Sequence, residues 1–352
     1  MDAAGTTPST LPMYPSDGGA PSPVVPDSGI VVPTATADAS PLPSVVPDGG
    51  ACPVSGDLVL AFDGLPMAIG LDEQRVYFLH DDESSIIGNP NRAVVSLRSV
   101  PKCGGAVTII GRGPYFGPGA DRVVSRSLAV DVDAIYFSTS NGSAGSLLRA
   151  PKGGGPTETL FEDNNVYPHD VAVDATSIYW AEPLSGSVVR MAKADRSRTV
   201  LVSGLTYPEH IALGGDSVYV ADQKGLFKIP INGSAPPSLL FGPLCAAPVT
   251  ACAMSLHLQG DAVYVGVGGI TKIPKAGGAA DKLAARPDLW AFGVSSTSIY
   301  MVSGLIVELS VMPLTGGPML LRESNDKAPG VLALDDSAVY WSAGGRLTRT
   351  PL

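Results

Sequence analysis

The stretch that decides the fold is Ala172–Lys193, AVDATSIYWAEPLSGSVVRMAK. It reads as three short strands. Val171–Val173 are apolar, and Asp174–Ser177 form a tight turn. Ile178–Tyr179–Trp180 make a β-branched and aromatic core run, and Val188–Met191 follow a glycine-containing turn. The same text recurs along the chain, anchored on a Tyr preceded by Val or Ile: Val76–Tyr77, Ile135–Tyr136, Val218–Tyr219, Val263–Tyr264, Ile299–Tyr300 and Val339–Tyr340. Successive tyrosines stand 59, 43, 40, 45, 36 and 40 residues apart.

A period near 40 with several strand-like runs per unit predicts a β-propeller. Five residues before the Tyr, Asp recurs as Asp72, Asp131, Asp174 and Asp335, where a carboxylate bonds the backbone of a hairpin turn. These aspartates are read as turn chemistry, not as ligands. A second landmark, Pro-x-x-Gly-Gly, follows at Pro101, Pro151, Pro274 and Pro313. Proline closes the third strand, because it has no N–H for the ladder, and the glycines supply positive φ. A fourth run comes next in most units, for example Glu158–Phe161 and Ser238–Phe241. The last unit stops at Leu352 after three strands, and Asp57–Phe62 near the start has the text of its missing fourth. The expected fold is therefore all-β: a seven-bladed propeller of four-stranded antiparallel blades, closed by an N-terminal strand completing the last blade.

The IYWAE and VYVAD runs, followed by VVRMAK or ITKIPKAGG, resemble the YWTD-type and TolB-like bacterial propellers. They are most similar to those of secreted proteins and lipoproteins of myxobacteria. The resemblance covers residues 52–352 and implies the fold. It is nearly silent on activity, since propellers host unrelated functions.

Composition bounds the rest. With 23 basic and 33 acidic side chains the net charge is −10, which argues against nucleic acid as a partner. No apolar run reaches the ~18–20 residues of a membrane helix. Residues 1–51 are rich in Pro, Ser, Thr, Ala, Gly and Asp and hold no Lys or Arg, the composition of a disordered linker. Such tails resemble those following the lipid-anchor cysteine of myxobacterial lipoproteins. That implies a lipid-anchored membrane tether upstream and an extracytoplasmic location, the alternative being a cytosolic protein with an unexplained tail; a monomer is expected.

Four cysteines allow three pairings. Cys52 and Cys103 map to the face of short turns, on the last and first blades, which are neighbours in the ring. Cys245 and Cys252 flank one long loop on the other face. Topology therefore favours 52–103 with 245–252 and an oxidising compartment.

The long connections 81–92, 111–122 and 242–253 all emerge on one face, as insertions at a binding face often do. His80, His169 and His210 map there, with Asp81, Asp170, Glu182, Glu209 and Asp222 as acidic companions and Trp290 as an aromatic wall. Carboxylates, imidazoles and an aromatic suit an unknown protein, glycan or small-molecule ligand, although a solvated polar rim would look the same. No cofactor is assigned. The expected role is a binding or scaffold module. The alternative is a metal-assisted lyase or hydrolase resembling streptogramin lyase, also a seven-bladed propeller. The GxDGxxWFTE-type blade text of that family is missing here. The basic third-strand residues Arg149, Arg190, Lys228, Lys272 and Arg349 occur one per blade and are expected to bond between blades.

Overall fold

The computed structural model describes residues 52, 54–62, 66–82, 95–113, 127–140, 145–244, 255–304, 307–325 and 330–352. These form seven four-stranded antiparallel sheets, and no α-helix occurs among them. Blades 1 to 6 cover residues 66–112, 128–163, 171–202, 210–241, 256–285 and 289–325, each with strands in sequence order. Blade 7 combines Leu332–Leu334, Ala338–Ala343 and Arg346–Pro351 with Leu58–Phe62. Leu58 pairs with Arg349 and Phe62 with Arg346, so the two ends of the ring share one sheet. The segment 1–51 and the Cys245–Cys252 pair lie outside the described residues.

Period-two alternation decides which seam each residue fills. In the second strand of blade 3 (Ser177–Glu182), Ile178 and Trp180 pack toward blade 2, while Tyr179 and Ala181 pack toward blade 4. The same rule in every blade gives seven apolar clusters, one per seam. Trp180 is fully buried, and truncating it to Ala would cost about 3–5 kcal/mol.

The inner strands must approach closely, so the residue opposite each anchor Tyr is small: Gly70, Ala129, Ala172, Ala212, Gly293 and Ala333. A Cβ on Gly70 would lie 2.2 Å from Leu128 of the next blade. Blade 5 breaks the rule with His257, whose ring meets Phe292 edge-on at 4.6 Å. Gly266 makes the room, because a Cβ there would stand 2.9 Å from the Phe292 ring.

The turn chemistry follows from the same repeats. Asp72, Asp174 and Asp335 each accept two backbone N–H bonds at the first turn through Oδ1. Their Oδ2 accepts the anchor hydroxyl of Tyr77 (2.7 Å), Tyr179 (2.7 Å) and Tyr340 (3.2 Å). A lysine after the third strand then crosses the seam. Lys102 reaches Asp335, Lys152 reaches Asp72, and Lys193 reaches Asp131. Each ammonium also lies 5.2–5.6 Å from the ring centroid of the anchor Tyr in the blade it reaches. Burial alone would raise the Asp72 carboxyl, but the bonds from Lys152, Tyr77 and the two amides outweigh it and hold it at about 2. The Pro-x-x-Gly-Gly turns have positive φ at both glycines, 82° and 132° at Gly154 and Gly155.

Candidate functional site

Strand direction sorts the candidate residues by face. The Asp turns and Pro-x-x-Gly-Gly turns occupy one end of the ring, and the blade-to-blade and second-to-third connections occupy the other. His80, Asp81, His169, Asp170, Glu182, Glu209, His210, Asp222 and Trp290 all belong to elements that start or end at the second, long-loop end. The insertions 83–94, 114–126 and 245–254 lie outside the described residues.

Register places one residue of each blade in a layer around the channel mouth. Blades 2 to 5 contribute Ser127, Asp170, His210 and Ser255, whereas blades 6, 7 and 1 contribute Ala291, Val331 and Ala68. Among the described residues this layer is thus polar in blades 2 to 5 and apolar in blades 6, 7 and 1. Asp170 ties the polar half together. Its Oδ1 accepts from Ser127 Oγ at 2.7 Å, and its Oδ2 accepts the Ile211 N–H at 3.0 Å and faces His210 Nδ1 at 3.5 Å. Burial opposes ionisation of Asp170, but His210, Ser127 and the Ile211 amide prevail and keep the carboxyl below its ordinary value.

His169 lies just behind this layer, 5 % exposed. Its Nδ1 bonds the Glu209 carbonyl at 2.8 Å. A carbonyl can only accept, so Nδ1 carries the proton and the tautomer is fixed. The His169 and His210 rings meet edge-on at 5.6 Å. Above them Tyr167 and Tyr207 share a hydroxyl–hydroxyl bond of 3.1 Å across the seam of blades 3 and 4. Tyr207 does so from a left-handed backbone, φ 58°, a conformation that costs a non-glycine residue about 1–3 kcal/mol. His257 lies close enough to feel the charges of Asp170 and His210. Burial is the largest influence on it, and its pKa falls to about 4, so it is neutral at physiological pH.

The Asp81 side chain lies outside the described part of the structure, and the remaining candidates have structural employment. Glu182 accepts from Trp180 Nε1 and Ser185 Oγ, both at 2.8 Å, and Arg198 stacks on the adjoining Phe161 ring at 4.1 Å. Asp222 takes three backbone amides, those of Thr206, Lys224 and Gly225, at 2.7–2.9 Å. His80 is drawn to Asp82, which also holds Ser96, Arg98 and Arg112. Glu209 is buried, and its backbone carbonyl is the acceptor for His169. Trp290 is 40 % exposed at a bulge of blade 6, with Nε1 bonded to the Gly304 carbonyl. The structure thus brings His169, Asp170 and His210 together, and beside them it places Ser127, the tyrosine pair and His257, none of them named as site candidates from the sequence. Among the described residues no group of three or more His, Cys, Asp or Glu side chains is placed to hold a metal ion.

Cavities of about 540, 470 and 430 Å³ open on the opposite, short-turn end, at the seams of blades 1 and 2, 7 and 1, and 2 and 3. Cys52 and Cys103, joined as a disulfide, line the second of these.

No family model and no curated protein matches the chain. Solved structures do. A streptogramin B lyase is 15 % identical over 84 % of this chain and 96 % of its own, with a TM-score of 0.60. The Cps50 β-propeller domain of Myceliophteria thermophila is 13 % identical over 84 % and 99 %, TM-score 0.57. Nidogen from a nidogen–laminin complex is 15 % identical over 77 % and 93 %, TM-score 0.50. At these identities the likeness establishes the fold alone: the chain is a seven-bladed β-propeller.

Proposed function

We propose that this chain is a binding or scaffold module that works outside the cytoplasm and holds its partner at the long-loop mouth, beside Asp170 and His210. The partner is a protein, a glycan or a small molecule. The observation that carries this reading is the one-sided mouth. A linked polar arc, Ser127–Asp170–His210, faces an apolar arc, Ala291–Val331–Ala68, and suits a ligand with one polar side. Tyr207, kept in a costly conformation beside it, fits a functional position. The solved relatives in fold include a protein crystallised with laminin, which supports a binding role by analogy. The Cys52–Cys103 disulfide supports an oxidising compartment, and a lipid-anchored tether N-terminal to the ring remains part of the proposal.

A screen of glycans, peptides, small molecules and divalent metals by thermal shift tests it. A ligand of this mouth raises the melting temperature of the native protein and loses at least about tenfold affinity in His210→Ala, as expected when a buried polar partner is removed. A stabilising ligand that binds His210→Ala and Tyr207→Phe unchanged overturns the location.

One observation favours a second reading, a lyase or hydrolase. Asp170 holds the Nδ1 side of His210, which leaves Nε2 as the basic nitrogen, the arrangement of a general base. Turnover of a streptogramin B that is abolished by His210→Ala would establish it, and absence of turnover in the native protein would reject it for that substrate.

A further inference from the structure

The cavity between blades 2 and 3 on the short-turn face contains two polar groups whose counterparts in blade 3 are satisfied internally. Tyr136 is 4 % exposed and lines this cavity of about 430 Å³. In blades 1, 3 and 7 the equivalent hydroxyl bonds the Asp five residues before it. In blade 2 that carboxylate, Asp131, turns instead to the Val132 amide and Lys193, so the Tyr136 hydroxyl has no hydrogen-bond partner among the described residues.

Arg149 lies directly across the ladder from Tyr136 and lines the same cavity. Its counterpart in blade 3, Arg190, donates from Nε to Ser177 Oγ at 2.9 Å and from Nη1 to the Ile231 carbonyl of blade 4. Blade 2 has Ala134 where blade 3 has Ser177, and the half-buried Arg149 guanidinium makes no hydrogen bond or ion pair with the described residues. The inter-blade role expected for these basic residues therefore holds for Arg190 and fails for Arg149. A half-buried guanidinium gains strongly from a charged acceptor when none is supplied by the chain.

The surrounding charges are mostly spoken for. Lys193 is committed to Asp131 and to the Asp174 carbonyl, and Arg196 pairs with Glu158. Asp133 stands exposed at the rim. Leu160, Ile178 and Met191 supply an apolar wall.

We infer that this cavity is a second ligand site, for a small organic anion whose carboxylate or phosphate accepts from Arg149 and the Tyr136 hydroxyl while its apolar body rests on Ile178 and Met191. It is separate from the long-loop mouth and does not depend on the reading of that face.

Calorimetric titration of the full chain at low ionic strength tests it, with benzoate, phenyl phosphate and benzylamine as probes. Saturable binding of benzoate or phenyl phosphate is expected, and the tighter of the two identifies the headgroup. Arg149→Gln should weaken it at least about tenfold, the loss of a charge-assisted hydrogen bond. Tyr136→Phe should weaken it about threefold, as for one neutral hydrogen bond. Ala134→Ser restores the hydroxyl that blade 3 offers its own arginine and should weaken binding severalfold while Arg149 stays in place. That variant keeps the test sound if Arg149→Gln folds poorly. The inference is overturned if neither anion binds saturably, if benzylamine binds as well, or if these variants bind like the native protein.

Discussion

Blades 7, 1, 2 and 3 and blades 4, 5 and 6 share the same apolar seam, yet among the described residues only the first group adds an aspartate–lysine clamp to it at the short-turn end. At the seams of 7 with 1, 1 with 2, and 2 with 3, an aspartate at the first turn meets a lysine from the following blade. At the seam of blades 3 and 4 the aspartate persists as Asp174, but Ile231 replaces the lysine. Further round, Lys275 has no aspartate to reach, because blade 4 has Gly214, and it bonds the Gly260 carbonyl of its own blade. The clamped arc begins at the blade that contains both ends of the ring. The unclamped arc instead carries His210 and His257 at the channel. The first clamp, Lys102–Asp335, sits at the seam where closure depends on a single strand.

The largest expected effect would break the clamped arc at the closing seam. Cys52 and Cys103 are 51 residues apart, and an ideal crosslink of that span contributes about 4 kcal/mol. Replacing both with Ser should lower the melting temperature by roughly 10 °C. The same change at Cys245 and Cys252 should do less. Equal losses would mean that closure is no weaker than any other part of the ring.

Acid should separate the arcs in sequence. An unfolded His257 takes its proton near 6.5 but the folded one only near 4, so stability due to the neutral ring is lost as pH falls from 6.5 toward 4. Asp72 and Asp335 are held at about 2 against an ordinary 3.8. Their contribution is present above 3.8 and is lost only as pH falls toward 2. Hydrogen exchange should therefore quicken in blades 5 and 6 before blades 7 and 1, and His257→Asn should remove the first step. Loss of protection in both arcs over one pH window would contradict the difference.

The smallest effect would extend the clamp by one seam. In Ile231→Lys the new ammonium should reach Asp174 Oδ2 while its methylenes cover the surface Ile231 covers now. A gain of about 0.5–1 kcal/mol is expected for a half-exposed pair. A double-mutant cycle with Asp174→Asn measures it, and zero coupling would show that the aspartate needs its own seam geometry.

Much of this was legible in the sequence, for reasons tied to period. The anchor tyrosines, the turn aspartates and the Pro-x-x-Gly-Gly glycines each respond to a local backbone demand, and local demands leave fixed spacings. The clamps were hidden, because Lys102 and Asp335 are 233 residues apart and meet only through ring closure. Asp170 was legible as a candidate but its part in linking three blades was not. Its partners Ser127 and Ile211 lie more than 40 residues away on either side. His257 had a signal that spacing alone did not reveal: it is the one bulky residue at a position otherwise filled by Gly or Ala. Arg149 likewise shows itself once Ala134 is set against Ser177.

The disulfide also settles how the ring would bear a load. A pull on the chain N-terminal to Cys52 would, without the bond, run straight into Leu58–Phe62 and peel that strand from Arg346–Pro351 one hydrogen bond at a time. With Cys52 joined to Cys103, the force passes first into the turn after the third strand of blade 1, whose neighbours hold it on both sides. The closing strand is left slack, and a tether attached upstream could be tugged without unzipping the ring.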